Sequence, residues 1–170
     1  MIRLLGAALV TVGCGGLGLS AVSRLDSRVR DLRELSAGLE ILQRELGWRL
    51  APLPEALEAA AEGTHGDAAR FYAFCSQEAR QLAGATFRMF WNRGLKQCFL
   101  RLSRGDRALL EQLGPVLGRY DGDSQRQAVE NVLACLSRQR IQAEDDRRRL
   151  GRVYGVLGVT AGLFLSLVLI

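Results

Sequence analysis

Residues 25–46 read LDSRVRDLRELSAGLEILQREL, and the spacing of their apolar side chains decides the fold. Leu25, Val29, Leu32, Leu35 (or Ser36), Leu39, Leu42 and Leu46 recur at steps of three and four. That is one apolar seam along a long helix, close to the heptad period. The helix should end near Gly47, and Ala51-Pro52-Leu53-Pro54 should form a rigid corner. Pro54 suits a first helical position, with EALEAAAE following it. The segment EGTHG breaks that second helix, and Asp67 is a credible N-cap for a third over residues 68–84. Phe71, Phe74, Cys75 and Leu82 can face a core there. A fourth helix is expected from Thr86 to Leu102, carrying Phe87, Phe90, Trp91, Leu95 and Phe99. Asp106 should start a short fifth that ends at Gly114-Pro115. Ser124-x-x-Gln127 fits a capping box for the last helix, with Val129, Val132, Leu133 and Leu136 as its buried stripe. Sustained strand-like alternation is nowhere found, so the middle of the chain is all-α.

Working outward, both ends change character. From Leu4 to Val22 the chain reads LLGAALVTVGCGGLGLSAV, and from Val153 to Ile170 it reads VYGVLGVTAGLFLSLVLI. At 1.5 Å per residue the first covers about 30 Å, the thickness of a bilayer's hydrocarbon core. The second has 18 residues and lies at the short end of the usual range. Two transmembrane helices are the simplest account. They give three parts: a span over 1–22, a helical bundle over 23–152 and a span over 153–170. The rival readings of the first segment are a cleaved signal peptide, with Arg3 as a thin charged region, and a lipoprotein site at Cys14. Thr11 and Val12 fit poorly before a lipoprotein cysteine, and the apolar run continues past it.

Orientation follows from arginine. Arg24 and Arg28 follow the first span, and Arg147, Arg148, Arg149 and Arg152 precede the second. Basic residues at span ends resist translocation, so the middle is expected in the cytoplasm. The same arginines are candidates for a grip on anionic headgroups. The bland reading pairs Glu144 with Arg148 and Asp145 with Arg149 along the helix. Gly158-x-x-x-Gly162 is a small-x-x-x-small pair that lets two helix backbones approach in lipid.

The net charge of +5 is nearly all arginine, since Lys96 is the only lysine. The basic residues alternate with Asp and Glu, which argues against a nucleic-acid stripe. Cys14, Cys75, Cys98 and Cys135 are far apart, with no C-x-x-C pair, and read as small hydrophobes. No metal set or cofactor motif is found, and His65 sits in a turn. Asp121 and Asp123 flank a glycine but lack the terminal glutamate of a calcium loop, so a turn and helix cap describe them better. No catalytic constellation emerges. An enzyme at the bilayer would need ionisable residues at membrane depth, which the two spans do not offer.

These segments together resemble the stage III sporulation protein AB family of endospore-forming bacteria. The resemblance begins at Leu5-Gly6-Ala7 and continues through Leu32-Arg33-Glu34-Leu35, Leu39, Leu42 and Glu45 to Pro52-Leu53-Pro54-Glu55-Ala56-Leu57. Its most specific piece is Leu113-Gly114-x-x-Leu117-Gly118-x-x-Asp121-x-x-x-Gln125, and Leu157-Gly158 and Gly162-Leu163 close it. The tyrosine expected shortly after Glu45 is missing, and Trp48 stands nearby. Such proteins are similar to the cytoplasmic bundle of the inner-membrane platform proteins of type II secretion and type IV pilus machines. The resemblance implies a structural part of the channel-like complex joining mother cell and forespore, in the mother-cell membrane around the forespore. It implies a cytoplasmic ATPase partner, stage III sporulation protein AA, and neighbouring membrane proteins of the same complex. Glu45, Glu55, Asp121 and Gln125 are the candidate contact residues, although capping and turn formation explain Asp121 and Gln125 equally well. An anionic-lipid-binding scaffold is the alternative.

Overall fold

A computed structural model describes residues 2–81, 86–99, 102–118 and 122–169, with only a few side chains described within 2–21 and 152–169. Seven helices follow one another: α1 (Ile2–Gly47), α2 (Leu53–Glu62), α3 (Gly66–Arg80), α4 (Phe87–Cys98), α5 (Arg104–Glu111), α6 (Leu113–Leu117) and α7 (Gly122–Leu169). No strand occurs among the described residues, as the absence of alternation requires. The chain divides into two compact units, Arg30–Arg140 and the pair Met1–Val29 with Ile141–Ile170.

In the central unit the leucine seam of α1 is the spine. Leu32, Leu35, Leu39 and Leu42 are fully buried, and Leu46 nearly so. Ser36 shares the seam because its hydroxyl donates back to the Leu32 carbonyl at 2.8 Å, which removes an unpaired polar group from the core. α2 and α3 form an antiparallel hairpin. The Ser76 hydroxyl donates to the Pro54 carbonyl at 2.8 Å, joining the end of α3 to the start of α2. The turn between them is tied to α1 by the His65 amide, which donates to Glu34 Oε2 at 2.9 Å.

An aromatic cluster locks α3 to α4. The Phe71 ring meets Trp91, Tyr72 and Phe99 edge-on, with centroids 4.7, 5.2 and 5.5 Å away. These are favoured electrostatic arrangements for aromatic pairs. The Trp91 indole donates to the Leu110 carbonyl at 2.7 Å, and the Tyr72 hydroxyl to the Leu35 carbonyl at 2.8 Å. Each buried aromatic therefore also fastens a second helix. Val129, Val132 and Leu136 of α7 close the core as the apolar stripe requires, while Leu133 is half-buried.

Helix boundaries depart from expectation at several points, beginning with α2, which starts at Leu53 so that Pro54 is its second residue. α3 begins at Gly66, whose φ of +64° suits glycine, and Asp67 lies inside the first turn, paired with Arg70. A carboxylate there complements the helix dipole, which is why it resembled a cap. α5 begins at Arg104: Ser103 accepts from the Asp106 amide at 3.1 Å, and Asp106 accepts from the Ser103 amide at 3.0 Å. Asp106 is thus the third residue of a capping box rather than the start. Pro115 does not end a helix, because it falls in the first turn of α6, where its missing N–H leaves nothing unpaired. α4 stops at Cys98 rather than Leu102, and α7 already starts at Gly122, which puts Ser124 and Gln127 inside the helix.

Among the described residues no helix is long and apolar enough to cross a membrane. Most of the two expected spans, 4–22 and 153–170, lies outside the residues whose side chains are described, as do Arg152, Gly158 and Gly162. In the terminal unit α1 and α7 run antiparallel. Asp26 pairs with Arg147, Arg28 lies 3.6 Å from Asp146, and a Cβ on Gly151 would sit 3.9 Å from Val22. Arg28 and Arg147 are therefore ion-pair residues between the two helices. Arg24, Arg148 and Arg149 are exposed.

Burial pushes the Cys75 thiol well above its ordinary value of 9.0, with Cys98 and Glu78 adding to the effect, and raises the Tyr72 phenol above 10.0. Burial also raises Cys98, against the opposing charge of Arg70. Both core groups stay protonated in the folded state while their unfolded counterparts ionise. The folded state then holds more protons at high pH, so stability must fall as pH rises. Denaturant unfolding should give a flat stability up to about pH 9 and a decline above it. Cys75 should resist thiol alkylation until the protein unfolds.

Candidate interaction surface

The corner after α1 is built by a backbone conflict. The Trp48 amide still donates to the Arg44 carbonyl at 2.9 Å, and the Ala51 amide reaches back to the Glu45 carbonyl at 3.0 Å. Closing that turn puts Leu50 at φ 51°, a left-handed conformation that costs a branched residue about 1–2 kcal/mol. Glycine would be the comfortable occupant. The consequence is exposure: Trp48 is 88% and Leu50 81% exposed, the two most exposed large apolar side chains described.

Beside them lies an apolar groove of about 450 Å³, lined chiefly by Leu46, Leu50, Pro52, Leu53, Phe87 and Leu117. It is framed by the corner and the starts of α2 and α4, with α6 and the start of α7 opposite. Strain and exposed apolar surface in one place are features that persist where a partner uses them.

Of the residues proposed from sequence, Glu45 stands next to this corner, 14% exposed, with Arg49 3.3 Å from its carboxylate. Glu55 is exposed in the first turn of α2, next in sequence to the groove residue Pro54. Gln125 is 7% exposed and its amide donates to the Leu117 carbonyl at 2.9 Å, so it braces α6 against α7 and forms part of the groove wall. Asp121 lies outside the described residues. Sequence reasoning missed Trp48 and Leu50. Their signal was two apolar residues standing off the leucine seam, between Gly47 and Pro52.

Among the described residues no group of three or more His, Cys, Asp or Glu side chains is placed to hold a metal. The three described cysteines, Cys75, Cys98 and Cys135, are free thiols.

Comparison with known proteins gives a consistent result. The family model for stage III sporulation protein AB matches residues 3–170. A relative, the stage III sporulation protein AB of Bacillus subtilis (strain 168), is 26% identical over 171 residues, spanning 99% of each chain. A solved structure of stage III sporulation protein AB superposes with a TM-score of 0.64 at 24% identity, over 72% of this chain and 98% of that one. That similarity establishes a shared helical fold. With the match running along virtually the whole sequence, the chain belongs to the stage III sporulation protein AB family.

Proposed function

We propose that this protein is a structural membrane component of the channel-like complex between mother cell and forespore. Its two apolar ends span the mother-cell membrane, its central unit faces the cytoplasm, and that unit docks the ATPase of the complex, stage III sporulation protein AA. Membership of a sporulation family along the full chain supports the setting. The observation that carries the docking role is the strained, exposed Trp48–Leu50 corner beside its groove. The ion pairs Asp26–Arg147 and Arg28–Asp146 would hold the two ends together where the spans begin. Work delivered to the bundle then reaches both helices at once.

The test is co-purification of the detergent-solubilised full chain with the ATPase. Leu50→Gly relieves the left-handed strain and removes exposed apolar surface, so it should leave stability no lower than wild type. Combined with Trp48→Ala it should cut ATPase recovery about tenfold, the loss of one small hot spot. Charge reversal at Glu55 should weaken recovery less, because exposed ionic contacts contribute little. Full recovery with the Trp48→Ala/Leu50→Gly variant would remove the corner from the interface. No recovery with wild type would end the docking proposal.

A further inference from the structure

α4 differs from every other helix of eight or more residues in one respect: it contains no acidic residue. The gap is wider than the helix, since no Asp or Glu occurs between Glu78 and Asp106. Its inner face is ordinary core, with Phe87, Trp91 and Leu95 buried. The outer face is not ordinary. Arg88, Asn92 and Lys96 form one row at steps of four, and Met89, Arg93 and Gln97 form the adjacent row. Together with Thr86 they line a shallow depression of about 500 Å³.

Several cations elsewhere on the bundle are neutralised locally. Arg49 pairs with Glu45, Arg70 with Asp67 and Arg80 with Glu58. Arg88, Arg93 and Lys96 have no acidic partner among the described residues. Arg93 instead lies 5.9 Å over the Phe90 ring, which holds its charge on this face. Met89 is 51% exposed between the cations. Asn92 lines the depression between the cations Arg88 and Lys96.

We propose that this face of α4 is a docking site for an acidic amphipathic helix of a partner protein. The match is one of charge and spacing. Arg88 and Lys96 are eight residues apart, about 12 Å along the axis. Carboxylates at steps of four on a facing helix repeat at half that distance, and one apolar residue between them meets Met89, an adaptable contact. Nucleic acid fits less well, since three cations are few against the six to ten phosphate contacts typical of firm binding. A lipid surface fits less well too, because it is flat and the patch is recessed. The site is separate from the Trp48–Leu50 corner and stands whether or not that corner binds the ATPase.

The experiment uses the full chain in neutral nanodiscs and a fluorescent fifteen-residue helical peptide. The peptide carries three glutamates at successive steps of four and one leucine beside them; its analogue has glutamine for each glutamate. The acidic peptide should bind at least about tenfold tighter than the analogue. The variant Arg88→Glu/Arg93→Glu/Lys96→Glu should lose about thirtyfold, from three exposed pairs. Arg30→Glu/Arg44→Glu/Arg138→Glu, the same change of charge at exposed positions elsewhere on the bundle, should bind like wild type. A lysine version of the peptide should bind the α4 variant, which shows that the face is still folded. Equal binding of the acidic peptide by wild type and the α4 variant overturns the proposal. So does a loss confined to duplex DNA or phosphatidylglycerol vesicles, with peptide binding unchanged.

Discussion

Trp91→Ala is expected to cost about 4 kcal/mol of stability, within the range for emptying a large aromatic site. Trp91 is fully buried, stacked edge-on by Phe71 and approached by Phe87 with ring centroids 5.9 Å apart. Its removal leaves a void bordered by α6 as well, because a Cβ on Gly114 would lie 3.3 Å from the indole. It also takes away the donor to the Leu110 carbonyl, one of the last four of α5. Trp91→Phe keeps one six-membered ring but loses the N–H and part of the indole's volume, so it should cost less, about 1–3 kcal/mol. Denaturant unfolding of the solubilised chain followed by circular dichroism measures both. Equal losses for the two variants would mean that the six-membered ring kept by phenylalanine adds nothing to stability. A loss near 4 kcal/mol is a large part of a domain's total of roughly 5–15 kcal/mol, so Trp91→Ala should unfold well before wild type.

Gly38→Ala should also destabilise strongly, against the rule for exposed helices. Alanine is a better helix former than glycine by about 1 kcal/mol. At this position its methyl would lie 2.1 Å from Cε2 of Tyr72 and 2.6 Å from Cζ. The ring cannot step aside, because it is buried against Phe71 and its hydroxyl is held by the Leu35 carbonyl. Overpacking of this kind costs about 1–3 kcal/mol, and the immobile ring places this case at the upper end. A double-mutant cycle checks the cause. In a Tyr72→Ala background the same Gly38→Ala change should become stabilising by up to about 1 kcal/mol, its intrinsic helix preference restored. If the sign does not reverse, the clash with Tyr72 is not the reason.

Gly38 illustrates how far the sequence could be read. In LDSRVRDLRELSAGLEILQREL the leucines mark the buried seam, and all of them from Leu32 onward are buried. Nothing in that stretch tells that Gly38 is needed for a ring thirty-four residues later in the chain. The caps show the same division. Asp106 was legible as marking the start of the fifth helix, whereas its place as the third residue of a capping box begun by Ser103 was not. Gln125 matched a family pattern and so drew attention as a contact; its burial against Leu117 explains it as a brace.

The arginine flanks divide similarly. Their abundance near the apolar ends is plain in the sequence, whereas the pairing of Arg147 with Asp26 joins residues at opposite ends of the chain. No local pattern encodes such a pair.

What the sequence determined alone was periodicity and composition: an all-helical chain, a leucine seam, aromatic helices, uncharged ends and a family resemblance. Those properties are local, because hydrophobic spacing at 3.6 residues selects a helix and its buried face without reference to any partner. Tertiary structure alone decided which leucine is left facing solvent, which glycine makes room and which helix is left without a counter-charge. Leu50 and Leu46 are the same residue type four positions apart, and only the turn that forces Leu50 to positive φ separates the exposed one from the buried one.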